Sequence, residues 1–261
     1  MDKRLYTIAE NRLVAADTYR LVLSLSFQPS PLSFRPSEAS GEISGEFVHI
    51  DIPGFYLRRP FSVCDADAGS LTLLYKTVGE GTRKLAALPE GTELSVLTGL
   101  GRGFDADACR KKALLVAGGL GAAPLYPLAK KLKEQGKEVT VVLGFNKADE
   151  IVLEKEFKAL CDRVALATLD GSVGTKGFVT DAINEMAGQA GHDGYDYFYT
   201  CGPMVMMKAV CELLEGPGEA SLEERMGCGA GFCYGCSIQT AKGPRRVCKD
   251  GPVFKKEDIL W

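Results

Sequence analysis

Histidine is nearly absent from this chain of 261 residues. Only His49 and His192 occur, and neither has another candidate ligand close to it in sequence. Histidine-based metal sites and Ser-His or Cys-His nucleophilic catalysis therefore lack their usual components. An excess of positive charge is also missing: the net charge of -3 leaves no electrostatic footprint for nucleic acid. No apolar run reaches the length of a bilayer-spanning helix. The N-terminal segment scatters Asp2, Lys3, Arg4, Glu10 and Arg12 among its apolar positions, so it does not read as a signal peptide, and a cytoplasmic location is expected. Internal repeats and low-complexity stretches are absent as well.

What the chain does have in unusual number is cysteine. There are nine, an odd count, and four of them (Cys228, Cys233, Cys236 and Cys248) crowd toward the C-terminal end. A secreted disulfide framework would be smaller and would follow a signal peptide. Clustering in a cytoplasmic chain points instead to metal or redox chemistry. The spacing Cys-x4-Cys-x2-Cys, with a fourth cysteine further on, matches the plant-type pattern for a [2Fe–2S] cluster. Four thiolates must reach two irons, so a short loop has to wrap the cluster. Gly227, Gly229, Gly231 and Gly235 let the backbone come close and turn its N–H groups toward sulfur. Arg225 and Lys249 add positive charge nearby. Structural zinc is the rival, although zinc sites usually pair their cysteines in two short knuckles. Cys64, Cys109, Cys161, Cys201 and Cys211 are scattered and read as small buried hydrophobes.

The size of the chain favours division into domains. The first hundred residues read as strands over 5–15, 19–27, 46–52, 71–78 and 92–97, punctuated by Pro29-Ser30-Pro31, Pro53-Gly54 and Pro89-Glu90-Gly91. This is the pattern of an antiparallel barrel. From about residue 113, strands alternate with helices: strands at 113–117, 139–143, 164–169 and 195–200, and helices at 122–135, 153–160, 178–186 and 204–214. That alternation predicts a parallel α/β sheet. From Gly216 onward the pattern gives way to a Gly- and Cys-rich tail. The expected organisation is an antiparallel β-barrel over 1–103, an α/β domain over 104–215 and a cysteine module over 216–261.

Two glycine-bearing turns fall at expected strand ends in the α/β domain. Gly118-Gly119-Leu120-Gly121 precedes a helix, whose free N–H groups and dipole suit a pyrophosphate. Cys201-Gly202-Pro203-Met204 follows the last strand. In the barrel, Arg58-Arg59-Pro60-Phe61-Ser62 is expected to precede a strand. Arg59 offers a planar fork for phosphate, and Ser62 offers a hydroxyl for a ring nitrogen. Leu74-Tyr75-Lys76 ends a strand, and Gly81-Thr82 stands at a helix start that suits a second anionic group or serves simply as a Thr-capped turn.

The order of these motifs resembles that of the ferredoxin–NADP reductase superfamily. The terminal cysteines narrow the likeness to the electron transfer subunits of class 1B dihydroorotate dehydrogenases, over essentially the whole chain. The strings that carry it are Arg59-Pro60-Phe61-Ser62-Val63-Cys64-Asp65, Gly79-x-Gly81-Thr82, Asp170-Gly171-Ser172 with Val179-Thr180-Asp181, and Glu224-Arg225-Met226 leading into Cys228. The resemblance implies FAD on Arg59, Pro60, Phe61, Ser62, Leu74, Tyr75, Lys76, Gly81 and Thr82, with Phe61 standing where the superfamily often has Tyr. It implies NAD at Gly119, Gly121 and Gly202, cluster ligation by Cys228, Cys233, Cys236 and Cys248, and a place for Cys201 near the nicotinamide. It also implies an FMN-bearing dihydroorotate-oxidising partner and a heterotetramer with two copies of each subunit, acting in pyrimidine biosynthesis. No substrate domain for dihydroorotate remains in the chain. Related alternatives are a flavin/iron–sulfur subunit of a ferredoxin–NADP transhydrogenase or of a hydrogenase-type complex. A zinc-stabilised nucleotide-binding regulator is the alternative from a different class.

Overall fold

The computed structural model describes residues 1–26, 45–67, 69–190 and 194–261. The expected strand end at Phe27, the Pro29-Ser30-Pro31 turn and His192 lie outside the described residues.

The N-terminal part is a closed six-stranded antiparallel barrel. Its strands are β1 (Asp2–Ala15), β2 (Thr18–Leu25), β3 (Phe47–Ile50), β4 (Arg59–Ala66), β5 (Ser70–Lys76) and β6 (Glu93–Leu100), in the order β1-β2-β5-β4-β3-β6. Alternating apolar residues fill its interior: Leu21 and Leu23 from β2, Ile8 from β1 and Val96 from β6. Arg59 to Ser62 does not precede a strand, as expected from sequence, but forms the first half of β4. Proline is tolerated there because Pro60 stands at the strand's start. Helix α1 (Glu80–Ala86) follows β5 and includes Gly81 and Thr82 in its first turn.

The second part is a seven-stranded sheet. Strands β7 (Lys112–Gly118), β8 (Glu138–Phe145), β9 (Arg163–Thr168), β10 (Thr175–Lys176) and β11 (Tyr197–Cys201) are parallel, with β7 beside β11 in the order β10-β9-β8-β7-β11. Helices α2 (Ala122–Glu134) and α3 (Glu154–Leu160) cover one face, and α4 (Val179–Ala190) and α5 (Met204–Leu213) the other. Leu125, Leu128, Ala129 and Leu132 of α2 are fully buried, so the expected stripe is the packed one. Each Leu contributes on the order of 1.5–3 kcal/mol by leaving water. Chain order reverses between β7 and β11, which makes their C-terminal ends the topological switch point where ligands of such sheets bind.

The tail does more than carry cysteines. Its strands β12 (Gly218–Ser221) and β15 (Val253–Lys255) extend the same sheet beyond β11, β15 running antiparallel to β12. Between them stand the cysteine loop, a hairpin of β13 (Ser237–Thr240) and β14 (Gly243–Arg246), and the single turn α6 (Val247–Asp250) that carries Cys248. One apolar cluster knits this module to the rest. It joins Phe47 of β3, Leu100 of β6, Met207 of α5 and Leu222 to Cys236, Val247, Cys248 and Phe254. The barrel also packs on α2, where Lys130 bonds Asp65 of β4 at 2.8 Å.

Candidate functional site

A cavity of about 1030 Å³ opens where barrel, sheet and tail meet. From the barrel it is lined by Pro60, Phe61 and Ser62 of β4, Leu74, Tyr75 and Lys76 of β5, and Thr82. The sheet contributes Gly119, Gly121 and Gly202. Thus the residues singled out from two separate domains face one space. Arg59, Gly81 and Cys201 do not line it, although each is the chain neighbour of a residue that does, Pro60, Thr82 and Gly202 respectively.

On the barrel side the two arginines divide their work. Arg58 is committed to the fold: it donates to the carbonyl of Ser95 at 2.6 Å, to the Ser95 hydroxyl at 2.9 Å and to Asp51 at 3.3 Å. Arg59 donates to the carbonyl of Leu57 and lies over the Phe55 ring at 5.2 Å. Among the described residues no carboxylate pairs with it. Gly81 lies against its guanidinium, since a Cβ there would come within 3.2 Å of Nε. A partly exposed guanidinium without an anion, one residue before the cavity-lining Pro60, fits a phosphate-bearing cofactor. The Ser62 hydroxyl has no bond within the described residues and is open to the cavity. Thr82 instead closes its own turn, accepting from the N–H groups of Val78 and Gly79 at 3.0 and 3.1 Å. The Tyr75 hydroxyl turns inward to Asn11 at 2.8 Å, leaving only the residue's body for the cavity. Lys76 bonds Glu150 at 3.1 Å across the barrel–sheet seam.

On the sheet side the two glycine turns lie back to back. A Cβ on Gly202 would approach the backbone nitrogen of Gly118 within 2.9 Å. Helix α2 has no side-chain cap, but its Ala122 N–H is taken by the carbonyl of Gly119 in the preceding turn and Pro124 has no N–H, so the first turn keeps fewer donors for an anion than its glycines suggest from sequence. Cys201 is 2% exposed, and burial pushes its thiol far above the ordinary range. Its side chain is packed in the core, as in the alternative reading of this residue. No motif marks Glu223, which the structure places in the cavity lining. Its surface is open to the cavity while protein surrounds it otherwise, and that burial raises its carboxyl.

The cysteine loop shows a sulfur-directed backbone. Cys228 Sγ accepts from the N–H groups of Phe232, Ala230 and Cys233 at 3.3, 3.4 and 3.4 Å. Gly235 N–H points to Cys233 Sγ at 3.5 Å, and Cys248 N–H to Cys236 Sγ at 3.4 Å. Burial opposes ionisation of Cys228, but the N–H groups of Ala230, Cys233 and Phe232 outweigh it and bring the thiol down to about 6. Burial, joined by the adjacent Cys236 thiol, pushes Cys248 up to about 12. The four thiols fall into two neighbouring pairs, an outer Cys228–Cys233 and a buried Cys236–Cys248. Among the described residues no three His, Cys, Asp or Glu side chains gather around one point in a way that would hold a single ion. Arg246 braces the loop, bonding the carbonyl of Gly231 at 2.9 Å and lying over the Tyr234 ring at 4.8 Å. Phe47, Met207 and Leu222 belong both to the cavity wall and to the apolar cluster that holds Cys236 and Cys248, so the two sites share one apolar cluster.

Residues 223–260 match the family model of the iron–sulfur cluster binding domain of dihydroorotate dehydrogenase B, and residues 115–212 that of the oxidoreductase NAD-binding domain. The dihydroorotate dehydrogenase B (NAD(+)) electron transfer subunit of Fusobacterium nucleatum is 40% identical over 97% of this chain and 96% of its own length. The chain belongs to this family of electron transfer subunits. Its counterpart in Listeria monocytogenes is 44% identical over 83% of this chain and 91% of its own length. Among solved structures, a chain of the NADH-dependent reduced ferredoxin-NADP oxidoreductase superposes with a TM-score of 0.84 at 30% identity, covering 98% of this chain and 90% of that one. An Amycolatopsis cytochrome P450 reductase, with a TM-score of 0.63 at 22% identity, shares the fold over 81% of this chain and 65% of its own. Among the described residues no helix is long and apolar enough to cross a membrane.

Proposed function

We propose that this chain passes reducing equivalents from a dihydroorotate-oxidising, FMN-bearing partner to NAD+ in pyrimidine biosynthesis, with a [2Fe–2S] cluster and FAD as its carriers. The observation that carries this reading is the shared wall: the barrel and nucleotide motifs line one cavity, and the cysteine loop packs against it through Phe47, Met207 and Leu222. When bound, the flavin exchanges single electrons with an iron–sulfur centre and a hydride with a nicotinamide. The rest of the reading concerns what the chain's own residues do.

Arg59 binds the cofactor's phosphate, with Gly81 giving the guanidinium room. Pro60, Phe61 and Ser62 form one wall of the ring's place, and the Ser62 hydroxyl orients it. Leu74, Tyr75 and Lys76 of the neighbouring strand β5, together with Thr82, continue that wall, the Tyr75 ring meeting Phe61 edge-on at 5.7 Å. Gly119, Gly121 and Gly202 admit the dinucleotide at the switch point, and the apolar lining excludes water from the place of hydride exchange. Cys228 with Cys233, and Cys236 with Cys248, supply two thiolate pairs for two irons. The inward N–H groups of the loop stabilise negative charge on their sulfurs. Functional units over 1–103, 104–215 and 216–261, a heterotetramer with two copies of each subunit, and a cytoplasmic site of action complete the proposal.

The test is reconstitution with the dihydroorotate-oxidising subunit of a family member. NADH formation from dihydroorotate and NAD+ is expected only when both chains are present. Oxidation of dihydroorotate by this chain alone would overturn the proposal.

A further inference from the structure

His49 is 0% exposed, yet neither of its ring nitrogens has a hydrogen-bond partner among the described residues. It stands on β3, paired with Pro60 of β4 on one side and Leu97 of β6 on the other. Its imidazole packs on the cysteine loop. A Cβ on Gly229 would lie 2.5 Å from Cε1 and 2.6 Å from Nδ1, and Gly229 has φ +66°. Only glycine admits this contact, and Gly229 directly follows Cys228. The Phe47 ring meets the imidazole edge-on at 5.9 Å.

An imidazole always carries at least one N–H. Burying that donor unpaired costs on the order of 1–3 kcal/mol. At least one N–H therefore needs an acceptor, and no protein oxygen or sulfur among the described residues provides one. The loop that His49 faces is the one whose backbone donors already converge on Cys228.

We propose that His49 is a positioning residue for the cluster, its ring N–H donating to an iron-bound sulfur held by the cysteine loop. The inference rests on the cluster reading above. It makes the barrel strand that neighbours Pro60 a donor to the cluster, in addition to the loop's own amides. A donor to sulfur stabilises the added electron, so His49 sets the cluster's potential as well as its seat.

The chain contains only two histidines, which makes the test selective. The full-length protein, loaded with FAD and cluster, is labelled with ¹⁵N at histidine only, reduced, and measured by pulsed EPR. A ¹⁵N coupling to the reduced cluster is expected in the wild type and in His192→Gln, and is expected to vanish in His49→Leu. The midpoint potential is expected to fall in His49→Leu and to recover in part in His49→Gln. A normal reduced-cluster signal without ¹⁵N coupling in the wild type, a coupling that survives His49→Leu, or a potential that His49→Leu leaves in place would each overturn the inference alone. If His49→Leu loses the cluster altogether, the wild-type coupling still decides. A protein without iron would overturn the cluster reading and this inference with it.

Discussion

The carbonyl oxygen of Cys201 lies so close to the backbone of Gly121 that a Cβ on the glycine would stand 2.1 Å from it. The two glycine-bearing turns, far apart in sequence, are thus held together through backbone contact, and the contact tolerates no side chain. Gly121→Ala is expected to separate the turns at a cost of about 1–3 kcal/mol and to weaken NAD+ binding by tenfold or more, while iron and FAD content stay unchanged. Gly119→Ala is the contrast. Open space surrounds Gly119, but its φ of +55° is unfavourable for alanine, so a milder loss of ~1 kcal/mol is expected. Titration of NAD+ binding on both variants checks the difference.

Arg58 and Arg59 are neighbours with opposite expected phenotypes. Arg59→Ala is expected to lower FAD affinity by roughly 10- to 100-fold, as for one lost bond to a charged group, with little change in Tm of the flavin-free chain. Arg58→Ala removes the bonds to Ser95 and Asp51 and is expected to lower stability by ~1–3 kcal/mol. Flavin titration and thermal melts, run on both variants, separate the two roles.

Much of this was legible in the chain, for identifiable reasons. The cysteine spacing is set by cluster geometry, so it survives in a linear string. The glycine turns are legible because only glycine fits where backbones touch, as at Gly121. The Arg59–Ser62 motif is legible, but from sequence it stands before its strand, because Pro60 looks like a strand breaker until the strand's starting position is known. Strands β12 and β15 were not expected, since their short segments take their place by pairing with a sheet edge rather than by periodicity of their own. The placements of Glu223 and His49 are also invisible in the sequence. Both depend on which distant surface a side chain meets, and for His49 that surface is Gly229, across most of the chain.

Glu219 supplies a pH prediction. It is 6% exposed on β12 and accepts a bond from the Asp105 N–H at 3.0 Å. Burial raises its carboxyl from 4.5 to about 7. The folded protein therefore holds a proton that the unfolded chain releases. The stability this provides is complete below about pH 4.5 and is lost as pH rises through about 7. Glu219→Gln keeps the acceptor and removes the titration, so its Tm is expected to fall less between pH 5 and pH 8, a difference of ~1–3 kcal/mol. Parallel melting curves with the same slope in both proteins would contradict the assignment.

Arg246 is expected to hold the cluster loop closed. It joins Gly231 and Tyr234 of the loop to Asp250, with Nε 3.1 Å from the Asp250 carboxylate. Arg246→Ala is expected to retain the fold and the flavin but to lose iron faster on chelator challenge. Iron release followed by absorbance checks this, and a release rate equal to the wild type would remove Arg246 from the account.

The most direct test of the central claim is an absorption spectrum of freshly purified protein, with acid-extracted FAD, iron and sulfide quantified on the same anaerobic sample. The account predicts overlapping flavin and iron–sulfur bands, with about one FAD and about two irons per chain. A colourless protein that retains zinc after the same handling would contradict it.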